Sequence, residues 1–252
     1  QARFAFSGAA PLAPEVIDWY RRLGLELLEG YGMSENHSYS HASEPGEARS
    51  GYVGRSRPGV ETRLSEDGEV LVKSPGMMMG YFKAPELTAE VVTADGFLRT
   101  GDRGELDEQG RLRITGRAKE LFKTSKGKYV APAPIENRLL SSALLEQCCV
   151  TGAGFAQPHA VGVLSENLRA LLNAGRVQQA ELTQQLNALL DEVNRSFESH
   201  ERLQFVVVTR DEWAIGNEFL TPTMKMRRAR IEERYAPLAE GWYAAGQAVV
   251  WE

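Results

Sequence analysis

Three polar clusters along the chain carry side chains that suit the binding of a nucleotide. The first is Tyr31-Gly32-Met33-Ser34-Glu35, which follows an apolar run. A tyrosine ring can stack on a purine, while the hydroxyl of Ser34 and the carboxylate of Glu35 are oxygen ligands for phosphate and Mg²⁺. A tight turn with a helix cap would explain the same residues without a ligand.

The second cluster combines a carboxylate with a guanidinium at the two ends of a predicted hairpin. Thr100-Gly101-Asp102 predicts a turn in which glycine permits close approach of a ligand. An ionised aspartate accepts two hydrogen bonds, which suits a ribose diol, and Arg117 can hold a sugar or phosphate oxygen. The alternative is a structural turn residue and an arginine at a strand end.

The third group of residues is cationic and consists of two separate stretches, one from Lys123 to Lys128 and one around Lys225. The stretch from Lys123 to Lys128 could bind phosphate, although it lacks the GxxxxGK[ST] spacing of a Walker A loop. Lys225 lies between two methionines, where its ammonium could neutralise charge that develops at phosphorus. In both places a solvated basic surface is the alternative.

Other catalytic patterns are weak in this sequence. His37 and His41 are spaced at i and i+4, but no glutamate follows His37 as in an HExxH helix. No GxSxG elbow or credible pairing of cysteine with histidine is present. These patterns therefore do not favour a zinc site or a hydrolase nucleophile.

The composition narrows the possible partners and location. The 252 residues include 29 basic and 34 acidic side chains, a formal net charge of −5, which argues against nucleic acid as the main partner. No apolar run approaches the length of a transmembrane helix, so we predict no membrane span. Cys148 and Cys149 lie in an apolar run and are typical of buried residues in a reducing cell, which favours a cytoplasmic protein.

The type of secondary structure that positions these polar clusters changes along the chain, and the first part has an α/β pattern. Phe4–Phe6 predicts a strand, Pro14 begins a helix that stops at Gly24, and Leu25–Leu28 predicts a second strand. Strand, helix and strand with polar loops at the strand ends are typical of α/β domains, in which ligands bind at the carboxyl edge of the sheet.

From Gly51 to Gly116 the sequence predicts a small β-rich subdomain. Short alternating runs are separated by Asp67-Gly68, Asp95-Gly96 and Gln109-Gly110, and Xaa-Gly pairs between apolar runs indicate hairpins. One helix, over 85–92, interrupts the strands.

After Lys119 the sequence predicts a mixed α+β domain. We expect helices over 134–145 and 177–197, the second being the longest, and a further helix that starts near Lys225. Strands are predicted at 147–151 and 160–164, with a final strand at 204–208. The polar joint at Ala118-Lys119-Glu120 marks the predicted boundary, giving domains 1–118 and 119–252.

The order and spacing of these motifs resemble the adenylate-forming superfamily, which includes acyl-CoA synthetases, firefly luciferases and the adenylation domains of peptide synthetases. The resemblance extends from Ser7 to Arg228, and its last two stretches are most similar to the long-chain fatty acyl-CoA synthetases. The stretches are SGAAPL, YGMSE, GYVGRSRPGVE, GEVLVKSPGMMMGYF, GFLRTGD, GRLRITGRAKELFKTSKGKYVAPAPIE and LTPTMKMRR.

The fold class that the resemblance implies is α/β and α+β. Residues 1–118 would be the end of the large N-terminal domain, an α/β piece with a β-rich subdomain from about residue 51. Residues 119–252 would be the small, mobile α+β C-terminal domain.

The resemblance also implies a nucleotide site in the first part of the chain. Gly8 would line the adenine pocket and Tyr31 would stack on the base. Ser34 would contact phosphate, and Glu35 would help to hold Mg²⁺. Asp102 would bind the ribose hydroxyls.

Four further residues acquire roles from the same resemblance. Arg117 would assist in binding the ribose, and Lys119 would be the hinge about which the C-terminal domain rotates between half-reactions. Gly127 would belong to the loop that lines the pantetheine tunnel. Lys225 would bridge the acyl carboxylate and the α-phosphate during adenylation.

The implied activity is ATP-dependent activation of a carboxylic acid, expected to be a fatty acid, to acyl-AMP, followed by transfer to CoA. ATP or AMP, Mg²⁺ and CoA are the implied cofactors and co-substrates. In this family the phosphate loop and most of the acyl pocket lie upstream of Ser7, so we expect a C-terminal portion that needs its N-terminal portion and is inactive alone.

Two alternatives stay open at this point. The adenylate could feed a carrier-protein thiol or a reductase instead of CoA, or the chain could be a non-catalytic nucleotide-binding remnant. The sequence departs from the family pattern at two positions. Ser34 stands where threonine is more common, and Lys225 lacks the glycine that many members place before it, which favours the fatty-acyl branch.

Overall fold

The computed structural model describes residues 4–10 and 12–252. The chain divides into two compact units, Gln1–Glu120 and Leu121–Glu252. Both units mix helices with open sheets, which confirms the predicted fold class. No helix in the described part of the chain has the length and apolar character that crossing a membrane requires.

The first unit begins with the predicted strand, helix and strand. Strands β1 (Phe4–Ser7) and β2 (Glu26–Tyr31) are parallel and are connected through helix α1 (Pro14–Arg22). Two short antiparallel strands, β3 (His41–Ala42) and β4 (Arg55–Ser56), complete this sheet. Because β1 and β2 run in the same direction, the loops that follow them leave the same edge of the sheet.

The second sheet of this unit is an antiparallel meander. Its core is formed by Val70, Val72 and Leu112. The turn at Asp67-Gly68 joins its first two strands, as predicted, and helix α2 (Pro85–Val91) precedes the third. The strands, in their order in the sheet, are β5 (Glu61–Leu64), β6 (Glu69–Lys73), β7 (Leu98–Leu106) and β8 (Leu112–Arg117).

The predicted turn at Thr100-Gly101-Asp102 is wrong, because these residues form a bulge inside β7. The register between β6 and β7 shifts next to Val70, whose carbonyl oxygen accepts a hydrogen bond of 2.7 Å from the Thr100 hydroxyl. Gly101 has φ of +73°, a conformation that favours glycine. Glycine signals a change of direction in either structure, so its presence did not distinguish a bulge from a turn.

The second unit contains a short hairpin and a mixed four-stranded sheet. The hairpin pairs β9 (Phe122–Lys123) with β10 (Tyr129–Val130). The first two strands of the sheet are antiparallel, and the remaining pairs are parallel. In spatial order the strands are β11 (Leu145–Thr151), β12 (His159–Leu164), β13 (Val206–Val208) and β14 (Val249–Trp251).

Apolar clusters cover both faces of this sheet. Ala160 and Leu164 of β12 face a cluster of leucines, whereas the alternate residues Val161 and Val163 face an aromatic cluster that includes Trp213. This alternation explains why β12 is apolar throughout. The helices are α3 (Pro132–Leu140), α4 (Glu166–Asn173), α5 (Gln179–Arg195) and α6 (Arg228–Ala245).

Several predicted bounds in this unit are wrong. The helix expected over 134–145 is α3, which ends at Leu140 because β11 already begins at Leu145. The helix expected over 177–197 is α5, with 17 residues, and α6 is longer with 18. Strand β13 is not the last, because the three residues of β14 follow it. Such a short apolar run carries no readable periodicity.

Candidate functional site

A buried carboxylate joins the two sheets of the first unit. Asp102 is 7% exposed, and its Oδ2 accepts a hydrogen bond of 2.7 Å from the hydroxyl of Tyr31. Its Oδ1 lies 3.2 Å from Nε of Arg117, which is its register partner on β8. The predicted hairpin therefore does bring Asp102 and Arg117 together, and the end of β2 supplies a third partner.

The hydroxyl of Tyr31 stays protonated and donates its hydrogen bond to the carboxylate of Asp102. Burial, followed by the nearby charge of Asp102, raises the pKa of Tyr31 above its ordinary value. Burial also raises the pKa of Asp102, while the hydrogen bond from Tyr31 and the charge of Arg117 oppose that rise. Arg117 is 63% exposed, so its remaining donors face solvent. A carboxylate held in this way can accept further hydrogen bonds from a diol.

A second carboxylate, not anticipated from the sequence, holds the bulge that carries Asp102. Glu69 accepts a hydrogen bond of 3.0 Å from the Gly101 backbone N–H and lies 3.1 Å from a guanidinium nitrogen of Arg99. Glu69 is 9% exposed. The only signal in the sequence was a glutamate at the start of an otherwise apolar strand, directly after the Asp67-Gly68 turn.

The loop after Tyr31 is a tight turn. Ser34–Asn36 forms a short 3-10 helix, and the Met33 N–H donates to the side-chain oxygen of Asn36 at 3.0 Å. A Cβ at Gly32 would lie 2.7 Å from the backbone of Ser38, so the chain folds back too closely for a side chain. The capping residue is thus Asn36, which leaves the exposed Ser34 hydroxyl available to a ligand.

Glu35 is half-buried in the same loop. Its Oε1 accepts a hydrogen bond of 2.8 Å from the hydroxyl of Tyr81, and its backbone oxygen accepts one of 2.7 Å from the Met78 N–H. Tyr81 was not among the predicted residues. It fixes the direction of the carboxylate from a segment 46 residues away.

Gly8 follows β1 at the same edge of the sheet. It is exposed, and a Cβ built on it would lie 3.5 Å from the carbonyl oxygen of Gly30, just before Tyr31. Pro11, in the same SGAAPL stretch, lies outside the described residues. The described part of the loop after β1 therefore lies beside the end of β2.

His41 is a core residue of this unit. Its ring nitrogens lie 2.8 Å from the Ser40 hydroxyl and 3.1 Å from that of Thr62, and burial lowers its pKa to about 4. His37 is exposed and has a left-handed backbone. Within residues 4–10 and 12–252, no group of three or more histidine, cysteine, aspartate or glutamate side chains could hold a metal ion.

The predicted hinge and the predicted loop glycine occupy turns. Lys119 lies in a 3-10 helix, Ala118–Glu120, at the end of the first unit. Gly127 lies in the β9–β10 hairpin with φ of +78°. This hairpin is held by backbone hydrogen bonds from Ser125 to Phe155 and from Gly154 to Lys123.

Lys225 lies in a closed turn just before α6. Its N–H donates to the Thr221 hydroxyl at 3.0 Å, and the Thr221 N–H donates to its carbonyl oxygen at 2.8 Å. Leu220 and Met226 form an isolated antiparallel bridge around this turn. The side chain of Lys225 is exposed and forms no ion pair with any residue that the structure describes. The helix expected to start near Lys225 is α6, which begins at Arg228.

Direct contacts join only part of the predicted set. Tyr31 and Arg117 each contact Asp102, and Gly8 lies beside the strand that ends at Tyr31. The chain continues from Tyr31 to the loop that carries Ser34 and Glu35, the other two predicted residues of this unit. Gly127 and Lys225 belong to the second unit.

Comparison with known proteins agrees with this arrangement. The family described as "AMP-binding enzyme" matches residues 1–82, and the family described as "AMP-binding enzyme C-terminal domain" matches residues 120–247, about half of the chain.

Similar sequences include acid–CoA ligases. A putative fatty-acid–CoA ligase of Mycobacterium tuberculosis is 33% identical over 97% of this chain and 45% of its own length. Long chain acyl-CoA synthetase 7, peroxisomal, of Arabidopsis thaliana is 32% identical over 97% of this chain and 39% of its own. The chain thus spans less than half the length of these curated relatives.

Solved structures with the same fold include adenylation domains of carboxylate reductases. The domain from Mycobacterium chelonae aligns with a TM-score of 0.78 and 28% identity, covering 95% of this chain and 38% of its own. The domain from Segniliparus rugosus, in complex with AMP and a co-purified carboxylic acid, aligns with a TM-score of 0.78 and 26% identity, covering 96% and 39%. The chain therefore belongs to the AMP-binding, or adenylate-forming, enzyme family and is similar to acyl-CoA synthetases.

Proposed function

We propose that this chain forms part of a ligase that activates a carboxylic acid with ATP and transfers the acyl group from acyl-AMP to CoA. Membership of the AMP-binding family supports the adenylation step. The relatives named as fatty-acid–CoA ligases support a fatty acid as the substrate and CoA as the acceptor. The buried carboxylate of Asp102, held between Tyr31 and Arg117, is the observation that carries the proposal.

In this proposal Asp102 binds the ribose of ATP and of acyl-AMP. Its Oδ2 accepts a hydrogen bond from Tyr31 and its Oδ1 pairs with Arg117, and a carboxylate has further acceptor capacity for two hydroxyl groups. Arg117 assists with its exposed donors. The hydrogen bond from Tyr31 favours the ionised form of Asp102, and the tyrosine ring would provide a face for the adenine, next to Gly8.

Glu35 and Ser34 would support the phosphates. Mg²⁺ in nucleotide sites is usually held by one or two carboxylates together with phosphate oxygens and water, and Glu35 offers one carboxylate whose direction Tyr81 fixes. The donor set therefore fits a magnesium ion bound mainly by the nucleotide. When bound, the ion would neutralise phosphate charge, and the Ser34 hydroxyl would donate to a phosphate oxygen.

Lys225 would act in the first half-reaction. A carboxylate oxygen attacks the α-phosphorus, the bond to the β-phosphate breaks, and pyrophosphate leaves with the electron pair. An ammonium that contacts both oxygens would stabilise the negative charge of that transition state. The exposed side chain of Lys225 is free to make such contacts.

The second half-reaction would use the turn that contains Gly127. The CoA thiolate attacks the acyl carbon and AMP leaves, while rotation about Lys119 would exchange Lys225 for the β9–β10 hairpin. The phosphate loop and most of the acyl pocket would come from the upstream portion of the enzyme. We further propose a cytoplasmic location, which Cys148 and Cys149, two buried cysteines in the apolar strand β11, support.

A second candidate acceptor follows from the structural comparisons. The adenylation domains of carboxylate reductases have the same fold at 28% and 26% identity. The adenylate could therefore be passed to a carrier-protein thiol or a reductase. Supplying the complete enzyme with acyl-AMP and either CoA or a phosphopantetheine-bearing carrier, and measuring which one is acylated, distinguishes the two.

Binding of AMP to the chain tests the nucleotide site directly. Asp102→Asn keeps the shape of the side chain but removes its charge, and losing a hydrogen bond to a charged group costs about 1.5–3 kcal/mol, or roughly 10- to 100-fold in affinity. Asp95→Asn is the matched control, because Asp95 lies on an exposed turn of the same unit and pairs with Arg63. Calorimetry should show weaker binding for Asp102→Asn alone. Equal affinities for all three proteins would contradict the site.

A further inference from the structure

We propose that Glu136 is a positioning residue for Lys225 and that it acts through Arg228. The proposal rests on the function assigned to Lys225 above, because a fixed ammonium matters only if that group meets the reacting atoms. It concerns residues of the second unit alone, all of which the structure describes.

The first observation is a buried ion pair. Glu136, on α3, is 5% exposed, and its Oε1 lies 2.7 Å from a guanidinium nitrogen of Arg228. The same oxygen accepts a hydrogen bond of 2.7 Å from the backbone N–H of Val150. The other terminal nitrogen of Arg228 donates to the carbonyl oxygen of Val150 at 2.9 Å. Both backbone groups of Val150 therefore hold the pair in one geometry.

The second observation is where this pair lies along the chain. Arg228 is the first residue of α6 and follows Lys225 by only three residues. On the other side of Lys225, Leu220 is 2% exposed and belongs to the aromatic cluster, which Met226 also contacts. The turn around Lys225 is thus held at both ends. Leu220 holds one end by apolar packing, and Arg228 holds the other by its ion pair and hydrogen bonds.

The chemistry of the pair favours positioning over stability. Burying two charges costs desolvation energy that an apolar pair would avoid, so such pairs contribute little net stability. A guanidinium, however, directs its hydrogen bonds in a rigid planar fork. The fork of Arg228 contacts α3 through Glu136 and β11 through Val150, so it sets where α6 starts and hence where the Lys225 turn is held.

A matched control pair exists on the same helix. Arg138 of α3 donates to Glu192 of α5 at 2.6 Å, and Glu192 is 60% exposed. Glu192→Gln removes a comparably short ion pair from α3 without touching α6. It therefore reports the cost of losing a carboxylate that pairs with this helix, separate from any effect on Lys225.

The first test measures hydrogen–deuterium exchange on the 252-residue chain itself. Glu136→Gln should speed exchange across residues 221–227 by about tenfold, while Glu192→Gln should leave it unchanged, because only the first change releases the anchor after the turn. The amides of Val161 and Val163 in β12 serve as the internal reference. An equal acceleration in β12 and in the turn would mean lost global stability and would overturn the proposal, as would unchanged exchange in the turn.

Because Glu136→Gln removes the carboxylate that pairs with a largely buried arginine, that variant could fail to fold. Arg228→Lys is the second variant, since it keeps the charge but loses the fork. It should give the same local acceleration across residues 221–227. Protection equal to that of the parent chain would overturn the proposal independently.

The second test is a double-mutant cycle in the complete enzyme, comprising this chain and its upstream portion. Glu136→Gln should lower acyl-AMP formation about tenfold, because displacing a catalytic group by about 1 Å can cost up to 100-fold. It should cause no further loss in a Lys225→Ala background. Thioester formation from supplied acyl-AMP should be unaffected.

The outcomes separate this inference from the proposed function. If Lys225→Ala itself leaves acyl-AMP formation unchanged, the role assigned to Lys225 is wrong, and the inference falls with it. If Lys225→Ala is impaired but Glu136→Gln has no effect, or lowers both half-reactions equally in both backgrounds, only the inference is overturned.

Discussion

Mild acid should weaken the second unit of this protein selectively. His159, in the second unit, is 2% exposed, and burial lowers its pKa from 6.5 to about 4. His41 in the first unit shows the same shift from the same cause. Glu29, also in the first unit, is 7% exposed, and burial raises its pKa from 4.5 to about 7.

The sign for the histidines follows from which state binds more protons. Between pH 6.5 and 4 the unfolded chain protonates each histidine, whereas the folded unit keeps it neutral. The contribution of each neutral histidine to the free energy of unfolding is therefore fully present above about pH 6.5, and it is lost as the pH falls toward 4. Lowering the pH from 7 to 5 should remove about 2 kcal/mol for His159 and a similar amount for His41.

Glu29 works in the opposite direction. Its folded-state pKa lies above its unfolded value, so the folded unit takes up the proton first and gains stability as the pH falls through 7. Between pH 7 and 5 this gain is about 2 kcal/mol, which offsets the loss from His41 in the same unit. His159 acts in the other unit, where Glu29 cannot compensate for it.

Tryptophan fluorescence can follow the second unit. Trp213, Trp242 and Trp251 lie in that unit, and Trp19 lies in the first. Urea titrations at pH 7 and pH 5 should show a free energy of unfolding about 2 kcal/mol lower at pH 5. His159→Gln should remove most of that difference, with His200→Gln as the control for losing a histidine of this unit. An unchanged free energy at pH 5, or a full pH dependence in His159→Gln, would refute the reasoning.

Two further predictions concern the fold. Gly104→Ala should destabilise the first unit by about 1–3 kcal/mol, because the added Cβ would lie 2.8 Å from the Arg113 carbonyl oxygen. Urea unfolding followed by circular dichroism measures this loss, and unchanged stability would contradict the close packing. If Lys119 is a hinge, limited proteolysis should cut between Arg117 and Lys128 and release residues 120–252, whereas a uniformly resistant chain would count against the hinge.

Several helices, strands and hairpins whose signals lie in residues close together in the sequence were predicted correctly. The order of strand, helix and strand up to Tyr31 is confirmed, as is the hairpin at Asp67-Gly68. The proximity of Arg117 to Asp102 also followed from the sequence, because a single hairpin joins the two residues. In each case the partner lies within a few tens of residues along the chain.

Contacts between distant segments could not be predicted in this way. Tyr31 contacts Asp102 across 71 residues, and Glu136 contacts Arg228 across 92. Nothing in the local spacing of Glu136, within the PAPIE stretch, shows that it is buried against the start of α6. Glu69 was missed for the same reason, because its function depends on a bulge that only the pairing of β6 with β7 creates.

The two half-reactions of the complete enzyme provide the most direct test of the central claim. Lys225→Ala should lower acyl-AMP formation, measured by acid-dependent pyrophosphate exchange, by about 10²–10³-fold, because one preorganised donor is lost from the transition state. With acyl-AMP and CoA supplied, the same variant should form thioester at close to the parent rate. A fully active variant, or equal losses in the two half-reactions, would contradict the assignment of Lys225 to adenylation.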